Sequence, residues 1–199
     1  MGKDEAGALL GVSRETLERL AIHIDLLQRW QARINLVGRS TLEDPWRRHV
    51  LDSGQLFRLC PTPCRVGVDL GSGAGFPGLV LAIMGIPEMH LIESDQKKAA
   101  FLREAARLTG TTMHVHAHRI EAIPPIAADL VTARALAPLA NLIDLAARFV
   151  GSRGICLFPK GRDVEKELTD SIRSRMIDSE HVPSQSDPGG VVLRFRIKP

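Results

Sequence analysis

The stretch Val68-Asp69-Leu70-Gly71-Ser72-Gly73-Ala74-Gly75-Phe76-Pro77-Gly78 decides the fold. Val66 to Leu70 is a short apolar run of the kind buried inside a sheet, and the glycines after it let the chain turn sharply into a helical run from Phe76 to Met84. The alternation continues downstream. Met89 to Glu93 reads as a strand, Gln96 to Leu108 as a helix, and Thr112 to Ala117 and Asp129 to Ala133 as strands. Pro138 to Val150 reads as a helix with proline at its start, Gly154 to Phe158 as a strand, Val164 to Ile172 as a helix and Val191 to Ile197 as a closing strand. Strands alternating with helices predict an α/β fold with a mostly parallel sheet covered on both faces. The turn Asp187-Pro188-Gly189-Gly190 predicts that the last strand folds back as an antiparallel hairpin at the C-terminal edge.

Upstream the pattern is helical. Ser13 is a predicted N-cap, Glu15 sits in the first turn, and Leu17, Leu20, Ile24 and Leu27 repeat at helical spacing. A second helical stretch after Pro45 carries Val50, Leu51, Leu56 and Phe57. Cys60-Pro61-Thr62-Pro63-Cys64 then breaks the pattern, because two prolines in three residues remove donors and fix the backbone. The expected organisation is a helical N-terminal appendage over residues 1–60 and a sheet domain over residues 61–199.

A chain of 199 residues suits one such domain with a small appendage and leaves little room for a second independent core. With 44% apolar and 25% charged residues, a disordered or fibrous chain is excluded. No apolar run approaches the roughly 20 residues of a membrane span, and the acidic start is unlike a signal peptide, so a cytosolic protein without membrane association is expected. Cys60, Cys64 and Cys156 are too few and too scattered for a disulfide framework or a four-ligand zinc site. The net charge of +3 only weakly favours a polyanionic partner. Arg outnumbers Lys 20 to 6, which suits phosphate contacts but also follows from base composition alone. Two Trp, six Phe and no Tyr argue against an RNA reader built on aromatic stacking.

The glycine loop has two readings. Gly73 to Gly78 spells the dinucleotide fingerprint GxGxxG, with Glu93 at about the distance of a ribose-binding acid; that reading implies a nicotinamide-dependent oxidoreductase. Alternatively, Asp69 followed by GxGxG over Gly71 to Gly75 resembles the first motif of class I S-adenosylmethionine methyltransferases. Charge separates the two. A pyrophosphate over the helix N-terminus disfavours an acid two residues before the first glycine, whereas S-adenosylmethionine carries a sulfonium and an ammonium and no phosphate. Pro77 also removes an amide that a phosphate cradle would use. On this reading Asp69, Gly71, Gly73 and Gly75 form the donor loop, and Glu93 accepts from the ribose hydroxyls. Ile120 and Glu121 flank the adenine, unless Arg119 and Glu121 are simply a pair on a solvated turn.

Further segments join the loop: Asn35-Leu36, Arg48-His49-Val50-Leu51-Asp52-Ser53, Lys98 with Phe101-Leu102-Arg103, Arg119-Ile120-Glu121, Arg134-Ala135-Leu136-Ala137 and Lys160-Gly161. In this order they resemble the bacterial ribosomal RNA small subunit methyltransferase G family, also called glucose-inhibited division protein B, from Trp30 to about Gly161. The resemblance implies a class I Rossmann-like fold and methyl transfer from S-adenosyl-L-methionine to N7 of a guanine in 16S ribosomal RNA. It further implies that Gly71, Phe76, Ile120, Glu121 and Arg134 contact the donor, and that the protein works as a monomer on the small ribosomal subunit. Glu93 stands where Asp is common in the family, and Pro159 precedes Lys160 in a way that alters that lysine's approach.

The residue inventory suits this chemistry. Guanine N7 presents a free lone pair, so the reaction needs alignment and a held base but no general base. After the fourth predicted strand there is no Asn/Asp-Pro-Pro-aromatic segment for an exocyclic amine and no Pro-Cys pair for covalent attack; Arg134 stands there instead. It can orient the base, meet an RNA phosphate or fix the donor's carboxylate. RNA contact falls to the basic stretch Arg29 to Arg48, in particular Arg47, Arg48 and the adjoining His49, with Lys97, Lys98, Arg103 and Lys160 beyond it. A protein that keeps the fold and binds RNA without turnover is the third class. His114, His116 and His118 share one face if extended, but no acid or cysteine with ligand spacing lies near them in sequence, and no metal is expected.

Overall fold

The structure is a computed structural model and describes residues 1–198, the side chains at positions 170 and 171 excepted. Seven strands form one sheet: β1 (Val66–Leu70), β2 (Glu88–Ile92), β3 (His114–His116), β4 (Ala128–Ala133), β5 (Val150–Lys160), β6 (Met176–Pro183) and β7 (Val191–Ile197), in the order β3-β2-β1-β4-β5-β7-β6. The first five are parallel, and β7 runs antiparallel to both β5 and β6, as the Asp187–Gly190 turn predicts. The chain runs outward from β1 through β2 to β3, then returns to β4 on the other side of β1. A crevice therefore opens at the carboxyl ends of β1 and β4.

Alternation along the strands splits the interior into two apolar layers. Met89, Leu91, Leu130, Ile155 and Leu157 face one layer; Val68, Leu70, Val131, Cys156 and Phe158 face the other. The first layer is covered by α4 (Gly78–Met84) and α5 (Gln96–Thr109), and by the N-terminal helices α1 (Lys3–Leu10) and α2 (Arg14–Gln31). Residues 1–60 thus share a core with the sheet. The second layer is covered by α6 (Leu139–Ala146) and the turn at Ile120–Ala122.

Ser13 caps α2 as its sequence position predicts, its Oγ accepting from the Thr16 amide at 3.1 Å. Asp95 caps α5 through the amides of Lys97 and Lys98, at 2.8 and 3.1 Å. The stretch after Pro45 is helical but irregular: a π turn over Trp46–Leu51, the α turn α3 (Asp52–Gly54) and a 3-10 turn over Gln55–Leu59.

Several boundaries differ from the sequence pattern. Helix α6 stops at Ala146, because Phe149 enters the core and Val150 already pairs with Ala128. The expected helix over 164–172 is two turns, α7 (Val164–Glu167) and α8 (Asp170–Arg173): Leu168 is buried between them, and the Thr169 hydroxyl accepts from the Ile172 amide at 3.4 Å. Strand β6 has no apolar alternation to announce it, being an edge strand exposed over most of its length with a bulge between Ile177 and Glu180.

Candidate active site

At the end of β1 the backbone turns through Gly71, Gly73 and Gly75, with φ of +66°, +54° and +85°. Three side chains, of Asp69, Glu93 and His23, brace the turn. Asp69 is fully buried; one carboxylate oxygen accepts from Thr132 Oγ1 at 2.7 Å and the other from the Gly78 amide at 3.2 Å. Burial raises its pKa to about 6, against the opposing pull of hydrogen bonds from Thr132, Ser72 and Gly78. Glu93, at the exit of β2, accepts from the Gly73 amide and the Asp95 amide, both at 2.8 Å. From α2, His23 Nε2 donates to the Ala74 carbonyl at 2.8 Å.

Opposite the loop stands Arg134, at the exit of β4. Its guanidinium donates to Asp52 Oδ2 at 3.0 Å, to the Arg48 carbonyl at 3.1 Å and to His49 Nδ1 at 3.1 Å. Because an arginine can only donate, His49 Nδ1 must hold a lone pair and Nε2 the proton, which goes to Thr41 Oγ1 at 2.8 Å. His49 is therefore neutral: burial, then the charges of Arg134, His23 and Arg48, lower its pKa to about 3. Phe76 lies between the rings of His23 and His49, with centroids 4.6 and 4.7 Å away, and the Arg134 guanidinium sits 5.4 Å from its centroid. Burial likewise lowers the His23 pKa, to about 4.

Between loop and arginine lies a cavity of about 570 Å³, lined by Gly71, Gly73, Phe76, Arg134, Lys98 and Lys160 among others. Thr41, Arg48, His49 and Asp52 close its other side, so the N-terminal segment supplies part of the wall.

Several of the residues read from the sequence do not open onto the cavity or are engaged within the protein. Asp69 does not face the cavity; with both oxygens engaged internally it fixes the loop. Gly75 does not line it either, because a Cβ there would meet Leu79 Cβ at 2.8 Å: this glycine serves helix packing. His49 is 3% exposed, and its Nδ1 accepts from Arg134. The Lys160 ammonium is held by both oxygens of Glu167, at 3.1 and 3.0 Å, so its charge is largely neutralised. Glu93, Ile120 and Glu121 lie outside the cavity lining, Ile120 buried in the second apolar layer and Glu121 exposed. Arg47 and Arg48 are exposed and paired with Asp44 and Asp187, at 3.1 and 3.8 Å. Lys97 and Arg103 are exposed on α5.

The family model described as GidB, rRNA small subunit methyltransferase G, matches residues 16–187. The chain belongs to this family. Relatives named ribosomal RNA small subunit methyltransferase G include one from Rhodospirillum centenum, 60% identical over 94% of this chain and 87% of its own. Another, from Paramagnetospirillum magneticum, is 57% identical over 98% and 96%. Among solved structures, the ribosomal protein L11 methylase of Lactobacillus delbrueckii has a TM-score of 0.62 at 14% identity, covering 82% of this chain and 81% of that one. TYW2 of M. jannaschii, solved in complex with AdoMet, has a TM-score of 0.60 at 17% identity, covering 84% and 80%. These structural likenesses establish the class I methyltransferase fold.

In this methyltransferase G chain, Asp52 and Thr132 are site residues to which sequence reasoning assigned no role. Asp52 carries the ion pair to Arg134 and accepts from Ser186 Oγ, and Thr132 anchors Asp69. An arginine at a strand exit calls for an acid, but only the fold shows that the acid comes from 82 residues upstream.

Proposed function

We propose that this protein transfers the methyl group of S-adenosyl-L-methionine to N7 of a guanine in the 16S RNA of the small ribosomal subunit. Membership of the methyltransferase G family supports the reaction. The observation that carries it onto this chain is the cavity in which the open glycine loop faces a fixed Arg134 guanidinium. The residues fit the donor: a Cβ at Gly73 would find only the Gly71 carbonyl within 4 Å, at 3.8 Å, so an adenosyl group can approach the bare backbone. No cation stands in the loop to neutralise a pyrophosphate.

The donor supplies an electrophilic methyl group on a sulfonium. As the guanine N7 lone pair forms the new N–C bond, the S–C bond breaks and S-adenosylhomocysteine leaves; no proton is removed. The bases nearest Arg134 are engaged: the His49 lone pair is held by Arg134, and Asp52 is held by Arg134 and Ser186. Its contribution is positioning. Arg134 orients the guanine or the donor carboxylate, and Phe76 and Gly71 wall the donor; this reading extends the adenosyl end of the donor beyond the cavity lining, to Glu93 at the ribose and to Ile120 with Glu121 at the adenine.

Residues 1–60 form the RNA-facing part and residues 61–199 the donor-binding part of this reading. Arg47, Arg48, Lys97, Lys98 and Arg103 are its phosphate contacts, and the target base leaves its stack to enter the cavity. The protein acts as a cytoplasmic monomer; among the described residues no helix is long and apolar enough to cross a membrane. The test is incubation with labelled donor and either 16S RNA or small subunits, followed by nucleoside analysis. We expect 7-methylguanosine; its absence with every ribosomal substrate, or calorimetric binding of a nicotinamide dinucleotide in place of the methyl donor, overturns the proposal.

A further inference from the structure

At the β3 edge of the sheet, three histidines and a glutamate gather on one face. Glu88 and His90 alternate on β2, His114 and His116 alternate on β3, and the parallel register sets His90 beside His114 and Ile92 beside His116. The His90 ring stacks on both His114 and His116, with centroids at 4.6 and 5.2 Å. Its Nε2 lies 2.9 Å from Glu88 Oε1, and its Nδ1 lies 2.9 Å from His116 Nε2. Ligand atoms of Glu88, His90 and His114 all fall within 4.8 Å of one another.

We propose that Glu88, His90 and His114 bind a divalent transition-metal ion of the zinc type. Two imidazoles and one carboxylate form a borderline donor set, which suits Zn²⁺ and not the all-oxygen preference of Ca²⁺ or Mg²⁺. The ion takes the place of the proton between His90 Nε2 and Glu88. His116 plays a separate part: metal binding needs His90 in the tautomer with its proton on Nδ1 and not on the Nε2 that faces Glu88, and His116 Nε2, 2.9 Å away, is placed to accept from that Nδ1–H and hold the ring toward the metal. A tetrahedral ion with bonds of ~2.1 Å holds its ligand atoms about 3.4 Å apart, so the 2.9 Å His90–Glu88 pair must open slightly while the wider separations, up to 4.8 Å, draw in. Glu88 and His114 are exposed and free to make that adjustment, while His90, half-buried, is the fixed point. The remaining position is left to water. Because the ligands come from two strands, the ion clips the three-residue edge strand β3 to β2.

The test uses the untagged full chain, titrated with Zn²⁺ by calorimetry and with Co²⁺ by visible absorption. We expect one ion per chain and tetrahedral Co²⁺ bands. His114→Ala and Glu88→Gln, both at exposed positions, should each weaken binding about tenfold or more, and His116→Ala about 10–100-fold. Circular dichroism checks that each variant is folded, and His181→Ala serves as a control that leaves affinity unchanged. Absence of one-to-one binding overturns the proposal. So does binding that persists at full strength in His114→Ala and Glu88→Gln, which would locate the ion elsewhere.

Discussion

Acidification from pH 7 to pH 5 should destabilise this protein by about 2–3 kcal/mol, with His23 and His49 carrying the loss. Both rings are buried and neutral, with pKa values of about 4 and about 3 against an ordinary 6.5. In the unfolded chain they protonate as pH falls below 6.5, and in the folded chain they do not. The folded pKa is the lower one, so their contribution is full above pH 6.5 and is lost as pH falls toward the folded values. Each removes about 2 kcal/mol between pH 7 and pH 5. Asp69 acts in the opposite direction: its folded pKa of about 6 lies above the ordinary 3.8, so the penalty for its buried charge shrinks as pH falls. That recovers about 1 kcal/mol over the same interval, and the two histidines prevail. His116, its pKa lowered first by burial and then by its neighbouring histidines, adds to the loss.

The assay is urea unfolding at the two pH values, where the midpoint should fall by about 1 M for a slope near 2 kcal/mol/M. In His49→Asn the pH-dependent part of the loss should shrink by about 2 kcal/mol. Imidazole NMR supplies a reading independent of any variant, with the His23 and His49 signals unchanged from pH 7 to pH 5. Equal stability at both pH values, or either ring titrating near 6.5, would refute the reasoning.

Three other outcomes follow from the site. Arg134→Lys keeps the charge but loses the fork that reaches Asp52, His49 and the Arg48 carbonyl together, so single-turnover methylation should slow about 10²-fold while calorimetric donor affinity changes little. Among the loop glycines, Gly75→Ala should lower the melting temperature most, since the new Cβ meets Leu79 Cβ at 2.8 Å. Gly73→Ala has space and incurs only the left-handed backbone penalty of about 1–2 kcal/mol, yet should weaken donor binding more than Gly75→Ala relative to its loss of stability. In RNA-binding titrations across salt concentrations, Arg48→Ala and Lys98→Ala should each reduce the log–log slope by about 0.7–0.9, whereas Lys160→Met, already neutralised by Glu167, should leave it unchanged.

What could be read in advance was what is local. Strand β1, the glycine loop, the cap at Ser13 and the α5 core face are set by residues within a turn or two of one another, and their patterns are strong. The missing elements have weak patterns for physical reasons. Edge strand β6 buries almost nothing and so needs no alternation, and α1 is a short helix whose stability comes from packing Ala6 and Leu10 against distant helices. The site follows the same division. The motif positions Gly71, Phe76 and Arg134 do meet at one cavity, but the burial of Asp69 under the loop follows from Thr132 on a neighbouring strand, which no local pattern announces.

The same limit governs the histidines, where it has a chemical consequence. Spacing within the sequence around β3 offers His114, His116 and, just past the strand, His118 and no acid, which argues against a metal. Parallel pairing then brings in Glu88 and His90 from β2, with His90 meeting His116 across 26 residues of chain. It also makes His116 the residue that holds a ligand and not a ligand itself. A ligand set divided between two strands cannot be found by spacing within either strand. The order of the strands and their register, fixed by the apolar residues between them, decide whether such a set exists. In this fold the residues that pack the sheet, Met89, Leu91 and Val115, therefore also determine that the polar residues alternating with them meet.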